Sequence, residues 1–185
     1  MSNKRDEVIE ATCRLLELQG FHATGMNQIL HESGTPKGSL YYYFPDGKEG
    51  LAVEAIERSR REISGRIADA MSEIDDPTMA IVTFIQRLAE VVAASGYRQG
   101  GPITAVALEA ASTSEVLRLA CRDAFREWQE IFAAKLRPVY GEAAEHLAIM
   151  LVSVIEGGVI LARTENSPEP LRAVAVTVEE VLQSR

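Results

Sequence analysis

The stretch "TGMNQILHESGTPKGSLYYYFP", residues 24–45, holds signals for two short helices and a tight turn between them. Thr24 can cap a helix whose apolar face is Met26, Ile29 and Leu30, with Ser33-Gly34 closing it. Thr35 then caps a very short helix with Pro36 in its first turn, where a missing backbone N–H costs nothing. Leu40 and Phe44, four apart, point this helix at the core, and Pro45 ends it. A short helix, a glycine turn and a second capped helix make a helix-turn-helix, whose second member can enter a DNA major groove. With Leu40 and Phe44 inward, Lys37, Ser39, Tyr42 and Tyr43 are the outward candidates, and Tyr41 is half buried. Gly38 removes bulk where the helix approaches DNA most closely. A tyrosine hydroxyl suits a phosphate oxygen, and Lys37 can reach a phosphate or a guanine edge. The tyrosines can also be read as packing against a neighbouring domain, or the motif as a protein-interaction module. Both of those readings leave Lys37 and Lys48 without a role.

Helical periodicity extends outward on both sides. Val8, Ile9, Cys13, Leu15, Leu16 and Leu18 form an apolar stripe ended by Gly20, so three helices fit before residue 45. A long fourth helix is predicted over 47–71, about 40 Å if unbroken. The acidic run at 72–78, with Pro77, connects it to a fifth helix at 79–94. "SGYRQGGP" (95–102) is dense in glycine and reads as a loop. Four more helices are predicted, over 103–112, 114–139, 142–163 and 168–183. The third of these is apolar nearly all round and must be covered on every side, by its own domain or by a second subunit. Two facing pairs of such helices make a four-helix interface across a two-fold axis, and a homodimer sets two helix-turn-helix units on a palindromic site. Gly157 and Gly158 permit close helix packing at that interface or at an ordinary crossing inside one subunit.

Composition bounds the rest. The 185 residues, 46% hydrophobic and 25% charged, suit one substantial core or two small domains. Cys13 and Cys121 lie in apolar helical surroundings, which argues against a disulfide or zinc framework and fits a reducing, cytoplasmic setting. The apolar run at 148–162 contains Glu156 and falls short of the ~20 residues of a membrane span, so no membrane partner is expected. The net charge of −8 speaks against indiscriminate nucleic-acid binding. Residues 1–60 hold seven Lys/Arg against nine Asp/Glu and residues 61–185 twelve against eighteen, so most of the acidic excess lies outside the first sixty. His22, His31 and His146 have no cysteine or carboxylate set at ligand spacing, and neither metal nor cofactor is expected. There is no phosphate-cradling glycine loop, G-x-S-x-G, H-E-x-x-H or arranged carboxylate pair, so an enzyme is not expected. Glu109, Ser112 and Ser114 occupy a helix end where serine ordinarily caps.

Residues 24–56, "TGMNQILHESGTPKGSLYYYFPDGKEGLAVEAI", resemble the DNA-binding domain of the TetR family of transcriptional repressors, and the match spans about 5–56. That resemblance implies that Thr24 binds a phosphate and that Thr35, Pro36 and Lys37 lie against bases. Ser39, Tyr42 and Tyr43 would contact the backbone, and Lys48, opening the fourth helix, would hold another phosphate. Leu30, His31, Thr35 and Tyr43 depart from the usual pattern, and the last two bear on which operator is read. The segments "GGPITAVALEAASTSEVLRLACRDAFREWQEIF" and "IEGGVILAR" look like the LmrA/YxaF-like branch, whose members regulate multidrug efflux or related genes and often carry a cysteine where this chain has Gly101.

The resemblance thus implies an all-α protein with a helix-turn-helix DNA-binding domain over 1–50. A long fourth helix would join it to a ligand-binding and dimerisation domain over 51–185. A small, largely apolar effector would release the operator through different affinities for two conformations. Candidate pocket residues are Phe84, Leu88, Tyr97, Ile103, Trp128, Phe132 and Glu156, since pockets are mostly apolar with a few polar groups. Trp128 can equally be core, and an interface arginine can satisfy Glu156 as well as a ligand can. Candidate dimer residues are Met150, Val154, Gly157, Gly158, Leu161, Val174 and Val178. Two other functions remain open: a DNA-binding regulator without an effector, and an all-helical binding protein that has lost DNA affinity.

Overall fold

The computed structural model describes residues 4–184, with the backbone alone described at 39–41. The roles expected of the Ser39, Leu40 and Tyr41 side chains therefore lie outside the described residues. The described chain is all-α: α1 (Lys4–Ala23), α2 (Met26–Ser33), α3 (Lys37–Tyr43), α4 (Gly47–Glu73), α5 (Pro77–Ala94), α6 (Pro102–Ala110), α7 (Glu115–Tyr140), α8 (Ala144–Glu165) and α9 (Glu169–Gln183), with a 3-10 turn at Gly141–Ala143.

Local chemistry sets most boundaries. Gly34 closes α2 in the left-handed conformation (φ 59°), its N–H turned back to the carbonyls of Leu30 and His31. The start of α2 differs from expectation. Gly25, which has no side chain to cap with, is its N-cap, and the Thr24 hydroxyl donates instead to the Gly20 carbonyl at 2.7 Å. α5 begins two residues earlier than its apolar pattern suggests. Asp76 accepts the Met79 N–H at 2.8 Å and Pro77 takes the first turn, so the acidic connection itself supplies the cap. Ser114 caps α7, its Oγ accepting from the Leu117 N–H at 3.2 Å. Gly20 interrupts α1 without ending it: its φ of +78° lies outside the helical region, and a further turn continues to Ala23.

Residues up to Glu62 together with Gly101–Ala124 form one compact unit, and Ile63–Gly100 with the chain from Phe125 onward form another. In the first, α1 packs against α2, α3 and α6 around Val8, Leu15, Leu16, Ile29, Phe44 and Ile103, each at most 5% exposed. In the second, α5 packs against α8 and α9, and α8 against α9. Its core includes Ile81, Ile85, Phe132, Leu136, Leu151, Leu171 and Leu182. By length and composition alone, α5 and the stretch Glu115–Glu165 are apolar enough to span a membrane, which corrects the length argument drawn from the sequence. Here the inner faces of α5 and α8 are buried against neighbouring helices.

Candidate nucleic-acid interface

The helix-turn-helix is built from α2 and α3 around Gly34, with Ile29 and Phe44 buried beneath it. The Arg5 guanidinium lies over the Phe44 ring at 5.3 Å and covers the foot of α3. Pro36, Lys37 and Gly38 are exposed at the head of α3. Tyr42 is 82% exposed, the most exposed large hydrophobic side chain among the described residues of the first unit. Tyr43 is half buried, its ring edge-on to Tyr42 at 5.5 Å and to Phe44 at 6.5 Å. This ladder roots Tyr43 in the core and stands Tyr42 outward, where a rigid ring can carry a hydroxyl to a phosphate.

Two expected contacts need correction. Thr24 is 1% exposed and its hydroxyl is engaged by Gly20; Thr35 is 5% exposed, with Oγ1 3.5 Å from the Ser33 carbonyl. Both threonines hold the turns that flank α2, and neither hydroxyl faces outward. Burial of this kind depends on how α1 and α2 pack, which a threonine before a helix does not disclose.

Lys48 is half buried at the start of α4. Its Nζ lies 4.2 Å from the centre of the Phe21 ring and 3.5 Å from the His22 carbonyl oxygen. Burial lowers its pKa, and the negative charge of Glu109 opposes that shift. An ammonium held between a ring and a carbonyl is preorganised rather than free to wander.

Residues 8–55 match the bacterial regulatory proteins of the tetR family, and residues 77–177 match the C-terminal domain of the LmrA/YxaF-like transcriptional regulators. The chain belongs to the TetR family of transcriptional regulators. It is 37% identical over 183 residues to the HTH-type transcriptional regulator LmrA of Bacillus subtilis (strain 168), covering 98% of this chain and 97% of that one. Among solved structures, the fold matches the regulatory protein TetR from Rhodobacter sphaeroides with a TM-score of 0.87 at 22% identity, covering 97% and 98% of the two chains. It also matches the TetR-family regulator CifR, solved with a 26 bp operator duplex, with a TM-score of 0.84 at 18% identity over 97% of each chain. A TetR-family chain is a DNA-binding transcriptional regulator and not an enzyme.

In this TetR-family regulator the candidate pocket residues fall in different places. Phe84 and Phe132 meet edge-on at 5.9 Å, and Trp128 stands edge-on to Phe125 at 5.2 Å, all within the second unit. Phe132 and Trp128 are 1% and 4% exposed, so both are core in this state, and among the described residues the Trp128 indole N–H has no hydrogen-bond acceptor. Leu88, Tyr97 and Glu156 are half buried in the same unit. Ile103 belongs to the first unit, fully buried, its carbonyl 3.7 Å from the Cys121 sulfur.

The candidate dimer residues also divide. Gly157 faces open space, Leu161 is exposed, and Met150, Val154 and Val174 are half buried. Gly158 packs against α9 and Val178 is buried within the chain, which removes both from an outer face. A Cβ on Gly158 would meet Leu171 at 2.9 Å and Val174 at 3.3 Å. The structure adds Ile149 and Ile160 on α8 and Val176 and Val181 on α9, all exposed, to the outer apolar surface. An all-apolar α8 signals a second covered face but does not by itself say which side chains form it.

Proposed function

We propose that this regulator is a ligand-responsive repressor that binds a palindromic operator as a homodimer and leaves it when a small, largely apolar effector binds. Residues 1–50 serve as the DNA-binding domain and 51–185 as the effector and dimerisation domain, in a protein that works in the cytoplasm. The observation that carries this reading is the face of α3, on which Pro36, Lys37, Gly38 and Tyr42 stand exposed over a buried Phe44. Lys37 reads bases, while Tyr42, Tyr43 and Lys48 hold the backbone.

Dimerisation is supported by the exposed apolar side chains of α8 and α9, which a two-fold axis would bring against their own copies. The effector is supported by the aromatic groups of the second unit. Buried polar groups ordinarily have partners, and a bound molecule offering an acceptor to the Trp128 N–H would supply the missing one.

The test is selection of bound duplexes from a random library, followed by titration of the preferred site at several salt concentrations. Two copies of the reading head predict a palindrome, and Lys48 from each subunit contributes about −2 to the log–log salt slope, from roughly 0.9 per neutralised phosphate. Candidate apolar compounds are then screened for release in the same assay. Absence of any enriched site, with protein shown to be folded and dimeric, would refute the operator reading.

A further inference from the structure

α6 is tied to α1 at both ends, by one carboxylate from each helix. Glu17 of α1 accepts the Gly101 N–H at the entrance of α6, at 2.9 Å. Glu109, near the far end of α6, accepts the backbone N–H of His22 at 2.8 Å, and its own carbonyl lies 3.3 Å from His22 Nε2. The second tie exists because α1 breaks at Gly20. A helix interior has no N–H to spare, whereas the turn after a break does. Gly20 also leaves the space: a Cβ there would stand 1.8 Å from Glu109 Oε1. The carboxylate therefore occupies a seat made by the glycine and closed by the turn.

The same turn holds Lys48 on its other side. Phe21 offers its ring and His22 its carbonyl to the ammonium, while His22 gives its N–H to Glu109. Glu109 and Lys48 thus grip the turn through the two backbone polar groups of one residue, His22, the first taking its N–H and the second its carbonyl. All these residues lie in one compact unit, and Glu49, next to Lys48, accepts a hydrogen bond from Ser114, four residues past the end of α6.

The geometry points to Glu109 as a positioning residue for DNA binding: by fixing the Phe21–His22 turn it sets where Lys48 can meet a phosphate. This rests on the reading of Lys48 as a phosphate contact. Two effects of Glu109 oppose one another and can be separated. Its charge, near Lys48, weakens the attraction of Lys48 for phosphate; its acceptor oxygen fixes the turn that Lys48 leans on. Glu109→Gln removes the charge and keeps an acceptor for the His22 N–H. Glu109→Ala removes both.

The experiment measures affinity and salt slope by fluorescence anisotropy, on the selected site and on a duplex of arbitrary sequence, for the native protein, E109A, E109Q, K48Q and E109A/K48Q. Circular dichroism confirms that each variant is folded. K48Q is expected to lower the slope by roughly 2 per dimer, at about 0.9 per lost phosphate neutralisation. E109A is expected to weaken binding by about three- to tenfold with a reduced slope, as for a lost charge-assisted hydrogen bond, and E109Q to bind at least as tightly as the native protein. Adding K48Q to E109A should cost less than K48Q does alone. If K48Q leaves the slope unchanged, the Lys48 reading fails and the inference falls with it. If K48Q has its effect while E109A binds with native or greater affinity, or while the two losses multiply, Lys48 stands and the role of Glu109 is overturned. An E109Q as weak as E109A overturns it too.

Discussion

Replacing Leu161 by aspartate tests the dimer at the place where the structure leaves most to be covered. Ile149, Ile160, Leu161, Val176 and Val181 are 41–56% exposed on α8 and α9. Fully burying such a side chain stabilises by roughly 1.5–3 kcal/mol, so covering the exposed half contributes about 1 kcal/mol each. Symmetry doubles the five residues, and the gross gain of about 10 kcal/mol is of the same order as the freedom lost on association. The interface therefore has little to spare. Leu161→Asp removes about 2 kcal/mol of apolar burial across the two copies, about thirtyfold in dissociation constant. Each new carboxylate must also be desolvated without a partner, which extends the loss to about a thousandfold or more. Light scattering over a concentration series reads the mass directly. Leu108→Asp is the control, because Leu108 is 76% exposed but lies on α6 in the first unit. A native protein that is monomeric at tens of micromolar, about the range a marginal dimer would occupy, would refute the reasoning. So would an L161D variant that stays dimeric wherever the native protein is.

Four further outcomes follow from single side chains. Tyr42→Phe removes a phosphate-bonding hydroxyl from each subunit, and at about 1 kcal/mol per bond it should weaken every duplex by a similar factor of roughly ten or more, with the salt slope unchanged. Lys37→Ala should change which sequence is preferred; an equal loss on selected and arbitrary duplexes in anisotropy titrations would remove Lys37 from the base-reading set. Gly158→Ala should destabilise the fold in thermal melts by about 1–3 kcal/mol, because the added methyl meets Leu171 and Val174, whereas Gly157→Ala, facing open space inside a helix, should raise stability by about 0.5–1 kcal/mol. Burial pushes the Cys121 thiol from 9.0 up to about 11, so its fold-stabilising neutrality is fully present below pH 9 and is lost as pH rises from 9 to 11. Melts across that window should fall less for Cys121→Ala than for the native protein.

How far the sequence discloses this molecule depends on the range of the interaction that decides each feature. The turn between α2 and α3 is local: Gly34 must take φ 59°, and Pro36 stands just ahead of α3, so the helix-turn-helix is legible in ten residues read in order. The start of α5 was equally local, since Asp76-Pro77 is a cap followed by a first-turn proline, but the acidic run around it masks the signal. Thr24 and Thr35 mislead because their residue type suits two roles, an exposed phosphate donor or a buried bond to a carbonyl, and only the packing of α1 on α2 chooses between them. Gly157 and Gly158 are adjacent, so a single helical step sets them about 100° apart, Gly158 toward α9 and Gly157 outward. Glu109 and His22 are separated by 87 positions, and nothing periodic in either helix announces the pair.

An acidic chain can serve DNA because its charges are not spread evenly over its surface. On the helices behind the reading face, cations are matched within the fold: Lys4 with Glu7, Arg14 with Glu10, Arg58 with Glu62, Arg60 with Glu57, and Arg5 with Glu54 across α1 and α4. Such exposed pairs add little stability, but each cancels a charge that would otherwise hold DNA indiscriminately. Between Ser33 and Pro45 the single charged residue is Lys37, and among the described residues it has no ion-pair partner. The reading head thus presents one uncompensated cation, a rooted tyrosine and a projecting one. A single subunit so equipped would bind any duplex weakly. On the proposed reading, two of them held by the α8–α9 face would multiply their contacts only where both half-sites are present at the right spacing, and specificity would then come from geometry that a large basic patch would have overridden.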